Sequence, residues 1–238
     1  MSCYLALETA TDSGSVAVGE PGAVAAEVVV SDRRHASAIV PAIEHVMNLA
    51  GVEYGDLSGI VLGDGPGSFT GLRIGFATAK GILSEFDDLT LHVTPSLLAT
   101  AWRFNFVKPG PIAALYDALR GEVFAAVYRF SPAAVVTELA PRLTTVTQLT
   151  ELAAAVPTLA VGNGAVVNDA VMRRWTGSDP VGPPVAMPRA GALLELLAVE
   201  GATKTVDDLA SLEPEYGRLA EAQVRWEKKH GRELKRQI

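Results

Sequence analysis

Apolar and polar positions alternate along the first thirty residues in a way that predicts strands. Residues 4–7 form one apolar run, 9–14 a polar turn, 15–18 the returning run, and 23–30 a third run rich in valine after Pro21-Gly22. Between 35 and 49 the period lengthens to three and four. Ile39, Ile43, Val46 and Ala50 make one stripe, which Ala36, Val40 and Met47 widen to the side, and the spacing predicts an amphipathic helix. Pro41 lies in its first turns, where a missing amide donor is tolerated. A buried strand over 59–62 and a helix over 70–83, carried by Leu72, Phe76, Ala79 and Leu83, complete the order strand, strand, strand, helix, strand, helix.

After Lys108-Pro109-Gly110-Pro111 the order repeats. Strands are predicted over 112–116, 122–128 and 134–140, a short helix over 146–154, a strand over 158–161, and a helix over 165–175. No residue-level repeat accompanies this, so the duplication rests on element order alone. It predicts an α/β protein of two tandem ribonuclease-H-like halves, each βββαβα with a mixed sheet, over 1–108 and 109–238 with a cleft between them. Residues 190–199 and 219–236 read as helices of the second half, the last free to pack back on the first. The run from Arg225 to Arg236 is locally basic, which suits a solvated helix face or a contact with RNA phosphates or an acidic surface.

The segment Gly65-Pro66-Gly67-Ser68-Phe69-Thr70-Gly71-Leu72-Arg73-Ile74-Gly75 links the predicted strand to its helix. A dinucleotide fingerprint fails at Thr70 or Ser68, a P-loop lacks its Gly-Lys-Ser/Thr ending, and a nucleophile elbow fails at Pro66 and Thr70. A tight turn remains, with Ser68 or Thr70 capping the helix and free amides suited to an anion or to a partner's backbone. Each glycine in a helix costs roughly 1 kcal/mol relative to alanine, so Gly71 and Gly75, in line with Ala79, imply close approach of another backbone. That backbone is either the chain's own sheet or a helix of another chain.

Composition narrows the class. A 49% apolar chain with 6% aromatics is rich in alanine and valine, and its net charge of −7 argues against broad attachment to nucleic acid or anionic membrane. The single cysteine, Cys3, fits a reducing compartment. Without a basic-then-apolar start or an apolar run near the roughly 20 residues that span a bilayer, a soluble cytoplasmic protein away from membranes is expected. Of the four histidines, His35 and His45 share a predicted helix. Ten residues place them about 80° around and about 15 Å along its axis, which is no joint metal site. Neither a metal site nor a catalytic residue is expected.

The stretches Tyr4-Leu5-Ala6-Leu7-Glu8-Thr9-Ala10-Thr11, Gly65 to Gly75, Asp117-Ala118-Leu119-Arg120-Gly121-Glu122-Val123-Phe124, Val161-Gly162-Asn163-Gly164 and Pro214-Glu215-Tyr216-Gly217-Arg218 together resemble the bacterial TsaB family, formerly YeaZ, over most of the chain. The resemblance implies an actin-like ATPase fold. It implies a non-catalytic scaffold subunit for N6-threonylcarbamoyladenosine at position 37 of tRNAs. The catalytic work would belong to a TsaD-type paralogue that carries the metal and nucleotide, joined by a TsaE-type ATPase. No cofactor is expected on this chain alone, tRNA is expected to be reached through the complex, and the free chain has the option of a homodimer.

Actin-like ATPases use a carboxylate on the first strand, most often aspartate, followed by a polar hairpin. Here Glu8 stands there, and Glu8, Thr11, Ser13, Gly65, Gly67 and Ser68 are the candidates for a remnant nucleotide site. The widened helical stripe and the small-residue stripe make Ile39, Val40, Ile43, Met47, Gly71, Leu72, Gly75 and Ala79 the candidate partner face. Two enzymatic alternatives are a metallohydrolase of the glycopeptidase kind and a small-molecule kinase. Asp117, in an apparent hairpin turn, is a poor base for the latter.

Overall fold

The computed structural model describes residues 2–30, 35–86, 88–131, 134–209 and 212–217. The helix expected over 219–236, with its basic run, lies outside them. The first half runs β1 (Cys3–Glu8), β2 (Gly14–Glu20), β3 (Ala23–Val30), α1 (His35–Ala50), β4 (Leu57–Gly63), α2 (Phe69–Leu83) and β5 (Thr90–Thr94). The second runs β6 (Ile112–Asp117), β7 (Glu122–Phe130), β8 (Val135–Thr145), α4 (Val146–Leu152), β9 (Leu159–Val161), α5 (Asn163–Val167) and α6 (Asp169–Thr176). Both sheets place their strands in the same relative order, β3-β2-β1-β4 and β8-β7-β6-β9. The hairpin pairs are antiparallel and the β1–β4 and β6–β9 pairs parallel, so the duplication expected from element order holds in three dimensions.

Two corrections follow. The helix expected over 165–175 is two helices that meet at Asn168, whose amide Nδ2 donates to the Gly164 carbonyl at 2.8 Å. The chain also does not divide cleanly near residue 108. α3 (Ser96–Trp102) and α7 (Ala190–Leu197) lie between the sheets, and β10 (Lys204–Val206) pairs antiparallel with β5 to complete a six-stranded first sheet.

Strand alternation sorts the core into layers. Leu5 and Leu7 of β1 face α1 and α2, whereas Ala6 faces the middle layer with Ala17, Val61, Ala114 and Ala126. These alanines let α3 and α7 sit close to both sheets. A third cluster, with Leu115, Ala125, Leu149 and Met172, covers the far side of the second sheet. The order is helices, sheet, helices, sheet, helices.

The width of the α1 stripe is explained here. α1 packs against β2, β3 and α2 together, so Ile39, Ala42, Ile43, Val46 and Met47 are all buried. Met47 is only 4% exposed, in the same core cluster as Val16 and Leu62. The residues Ile39, Ile43, Met47, Gly71, Leu72, Gly75 and Ala79 are therefore core, and among the eight expected at a partner face only Val40 is exposed. The expectation of a partner face on these positions is overturned. Met47→Glu buries a charge in an apolar cluster and should destabilise the chain by at least about 3 kcal/mol, read by chemical denaturation.

Candidate functional site

β1, β4 and β5 end side by side, and their last side chains on the middle-layer face meet in one row. The Glu8 carboxylate is fully buried; its Oε1 accepts from the Ala10 amide at 2.7 Å and its Oε2 from the Ser96 hydroxyl at 2.8 Å. Opposite it on β4 stands Gly63, where any Cβ would collide with Glu8 Oε2. Gly63 pairs in turn with Thr94 of β5. From the second half, the Tyr116 hydroxyl lies 2.6 Å from Thr100 Oγ1, and both reach the Ser96 carbonyl, at 2.7 and 3.1 Å. The hydroxyls of Thr94 and Tyr128 are buried here without a hydrogen-bond partner among the described residues, as is that of Thr9 on the α2 side of the sheet.

Burial dominates the electrostatics of this polar nest. It pushes the Glu8 carboxyl up to about 7 against the amide and hydroxyl bonds that favour its anion. Asp64, just beyond β4, is also raised to about 7, first by burial and then by the neighbouring charges of Glu8 and Glu215. Burial also holds the Tyr116 and Tyr128 phenols above their ordinary range, with Glu8 adding to the first and Asp64 to the second.

The glycine segment packs on the turn that follows β1. A Cβ on Gly67 would strike the Ala10 carbonyl, and one on Gly71 the Thr9 carbonyl. At Gly75 it would lie 2.5 Å from Thr9 Oγ1. The close approach expected of Gly71 and Gly75 is thus to the chain's own first turn. Two amides at the start of α2 are occupied: Ser68 N donates to the Ala10 carbonyl at 2.7 Å and Gly71 N to Ser68 Oγ at 3.2 Å, which makes Ser68 the cap. Gly65 accepts at its carbonyl from the Ser96 amide at 2.8 Å. Residues 212–217 then lie across the segment, with the Glu215 amide donating to the Asp64 carbonyl at 2.9 Å.

Glu8, Gly65, Gly67 and Ser68 are therefore brought together, with Thr11 and Ser13 in the adjoining turn, where Thr11 Oγ1 donates to the Ser13 carbonyl at 2.9 Å. Asp64, Thr94, Ser96, Tyr116 and Tyr128 complete the nest without having been singled out in the sequence. The dipeptide Pro95-Ser96 at a helix start was the one readable signal. Asp117 accepts from the Leu119 amide at 3.0 Å in a left-handed turn, as befits a structural residue. His45 is exposed, and among the described residues no cluster of three metal-ligating side chains occurs.

Two halves of shared strand order around a middle helical layer define the actin-like, ribonuclease-H-like class. The family model described as "TsaD: tRNA N6-adenosine threonylcarbamoyltransferase" matches residues 23–212. Within that group the chain belongs to the TsaB (YeaZ) family. It is 27% identical to the tRNA threonylcarbamoyladenosine biosynthesis protein TsaB of Bacillus subtilis over 93% of this chain and 96% of that one. The Haemophilus influenzae TsaB is 28% identical over 96% and 98%. The Escherichia coli TsaB is 34% identical over 52% of this chain and 54% of its own length. A crystal structure described as an uncharacterized protein with similarity to peptidase YEAZ from Pseudomonas aeruginosa shares the fold, at a TM-score of 0.75 and 24% identity over 92% of this chain and 100% of that one. No helix among the described residues is long and apolar enough to cross a membrane.

Two outcomes test this geometry. Gly71→Ala, forced against the Thr9 carbonyl, should cost about 1–3 kcal/mol in denaturant unfolding. The second concerns pH. Glu8 holds its proton more tightly folded than unfolded, so its contribution is complete below the ordinary carboxylate range and is lost as pH rises to about 7. Unfolding free energy should therefore fall between pH 4.5 and 7.5, by on the order of 3 kcal/mol from this group. Glu8→Gln should flatten the profile, leaving the part due to Asp64.

Proposed function

We propose that this chain is a non-catalytic scaffold subunit in the threonylcarbamoyl modification of adenosine 37 in tRNAs. Membership of the TsaB family, whose relatives are named for threonylcarbamoyladenosine biosynthesis, supports the pathway. The observation that carries the scaffold role is the buried, internally bonded first-strand carboxylate. The Glu8 carboxylate is buried and bonded to Ala10 and Ser96, the glycine segment is packed against the first turn, and residues 212–217 cover it. Phosphoryl transfer and metal-assisted hydrolysis depend on positioned cations and on substrate reaching the charged groups. A first-strand carboxylate with no exposed surface offers neither.

In this reading the nucleotide and the metal belong to the assembled complex and are held by a TsaD-type paralogue. This chain forms a heterodimer with it in the cytoplasm, a TsaE-type ATPase joins the pair, and tRNA is contacted through the assembly. The free chain retains the option of pairing with itself.

The test has two arms. Single-turnover nucleotide hydrolysis by the isolated, metal-supplemented chain should be indistinguishable from that of Glu8→Ala. Co-purification with a TsaD-type paralogue, with and without ATP, should recover a stable pair that restores modification of tRNA in a reconstituted mixture. Turnover by the isolated chain that Glu8→Ala abolishes would replace the scaffold with an enzyme.

A further inference from the structure

Residues 212–217 form a strap that touches both halves of the molecule. Its Glu215 carbonyl lies 2.6 Å from where a Cβ on Gly65 would stand. Gly217, at φ +64°, fits between the Phe124 ring of β7 and Pro66, where a Cβ would come within 2.7 Å and 3.1 Å. The Tyr216 ring packs on Phe69 at 4.6 Å, with the Arg73 guanidinium 5.4 Å over the same Phe69 ring. Among the described residues, the strap's one backbone hydrogen bond to this region is from the Glu215 amide to the Asp64 carbonyl, just before the glycine segment. Behind the strap opens a pocket of about 360 Å³, lined by Asp64, Lys204, Asp208, Leu212, Glu213 and Glu215 among others. Beyond Asp64 lie Glu8 and the unpartnered Thr94 and Tyr128 hydroxyls.

Among the described residues, the groups that face Asp64 are mostly acidic. Glu8 faces it from β1, Glu215 from the strap itself, and Tyr128 from β7, while Glu213 and Asp208 share the pocket wall. Lys204 of β10 is the cation whose field favours the ionised carboxyl. We propose that the strap is a charge-operated latch: with the Asp64 carboxyl neutral it lies on the glycine segment and seals the polar nest, and with Asp64 ionised beside Glu8 and Glu215 it lifts and opens the nest to water. An ionised Asp64 repels the Glu215 carboxylate of the strap and the buried Glu8, and lifting the strap relieves part of that repulsion, whereas a neutral carboxyl repels neither. The raised acidity range of Asp64 places this exchange in the neutral region. The latch concerns the same cover that the scaffold reading invokes, so that reading requires the opened nest to show no turnover as well, whereas hydrogen exchange reads the opening alone.

Hydrogen exchange of the full chain between pH 5 and 8, corrected for intrinsic rates, tests it at the Glu215 amide. Protection in the wild type should fall by up to tenfold per pH unit until about pH 7 and then level off, as expected for one proton released on opening. In Asp64→Asn the protection should be flat with pH. In Glu215→Gln the fall should be smaller and level off at lower pH, because one repelling charge is gone. Amides of the cluster on the far side of the second sheet, such as Leu149 in α4, should not follow the trend. Protection independent of pH in the wild type, or an undiminished fall in Asp64→Asn, overturns the latch. Should Asp64→Asn fail to fold, an unchanged profile in Glu215→Gln overturns it as well.

Discussion

One buried carboxylate ties this molecule together. Glu8 ends the first strand, and through Ala10 and Ser96 it binds both the turn that follows it and the first turn of α3. The turn in turn seats the glycine segment, and Ser96 receives the Tyr116 hydroxyl from the second sheet at its carbonyl. Strand, turn, glycine segment and second half therefore share one polar junction in an otherwise apolar middle layer. A charge without solvent is costly, and the two donors that satisfy it tie the turn and α3 to the strand.

The same junction occupies Glu8 and part of the glycine segment from within the chain. Here the Ser68 and Gly71 amides and the Glu8 oxygens have partners within the chain. Glutamate rather than aspartate makes this reach possible, because the additional methylene carries the carboxyl over Gly63 to Ser96. The glycine at 63 is the counterpart of that longer side chain.

Legibility in the sequence followed the range of the interactions. β1 to α2 and β6 to β9 were readable because their alternation or helical period is local. β5, α3 and β10 were passed over: each is short, and β10 is defined by pairing with a strand over a hundred positions earlier in the chain. The break at Asn168 depends on one side-chain bond to Gly164 that no period reveals. The α1 stripe showed how much apolar surface had to be covered but not by what. A six-stranded sheet and α2 took most of it, so Met47 became core while Ala36 and Val40 stayed exposed. Glu8 and the glycine segment could be singled out by type and spacing. Asp64, Thr94, Tyr116 and Tyr128 could not, because topology alone brings them together.

The return of the chain to its first sheet bears on how the protein is born. Ser15, near the start, caps the first amide of α7, Ala190, at 2.7 Å, and Glu27 accepts from the next, Gly191. β10 and α7 supply an edge and a covering layer to a sheet whose other strands leave the ribosome far earlier. During synthesis the first sheet therefore waits with one face and one edge bare, until residues near 200 emerge. The alanine-lined middle face limits the danger of that wait, because small side chains such as Ala6 and Ala17 offer little apolar area to a stray partner.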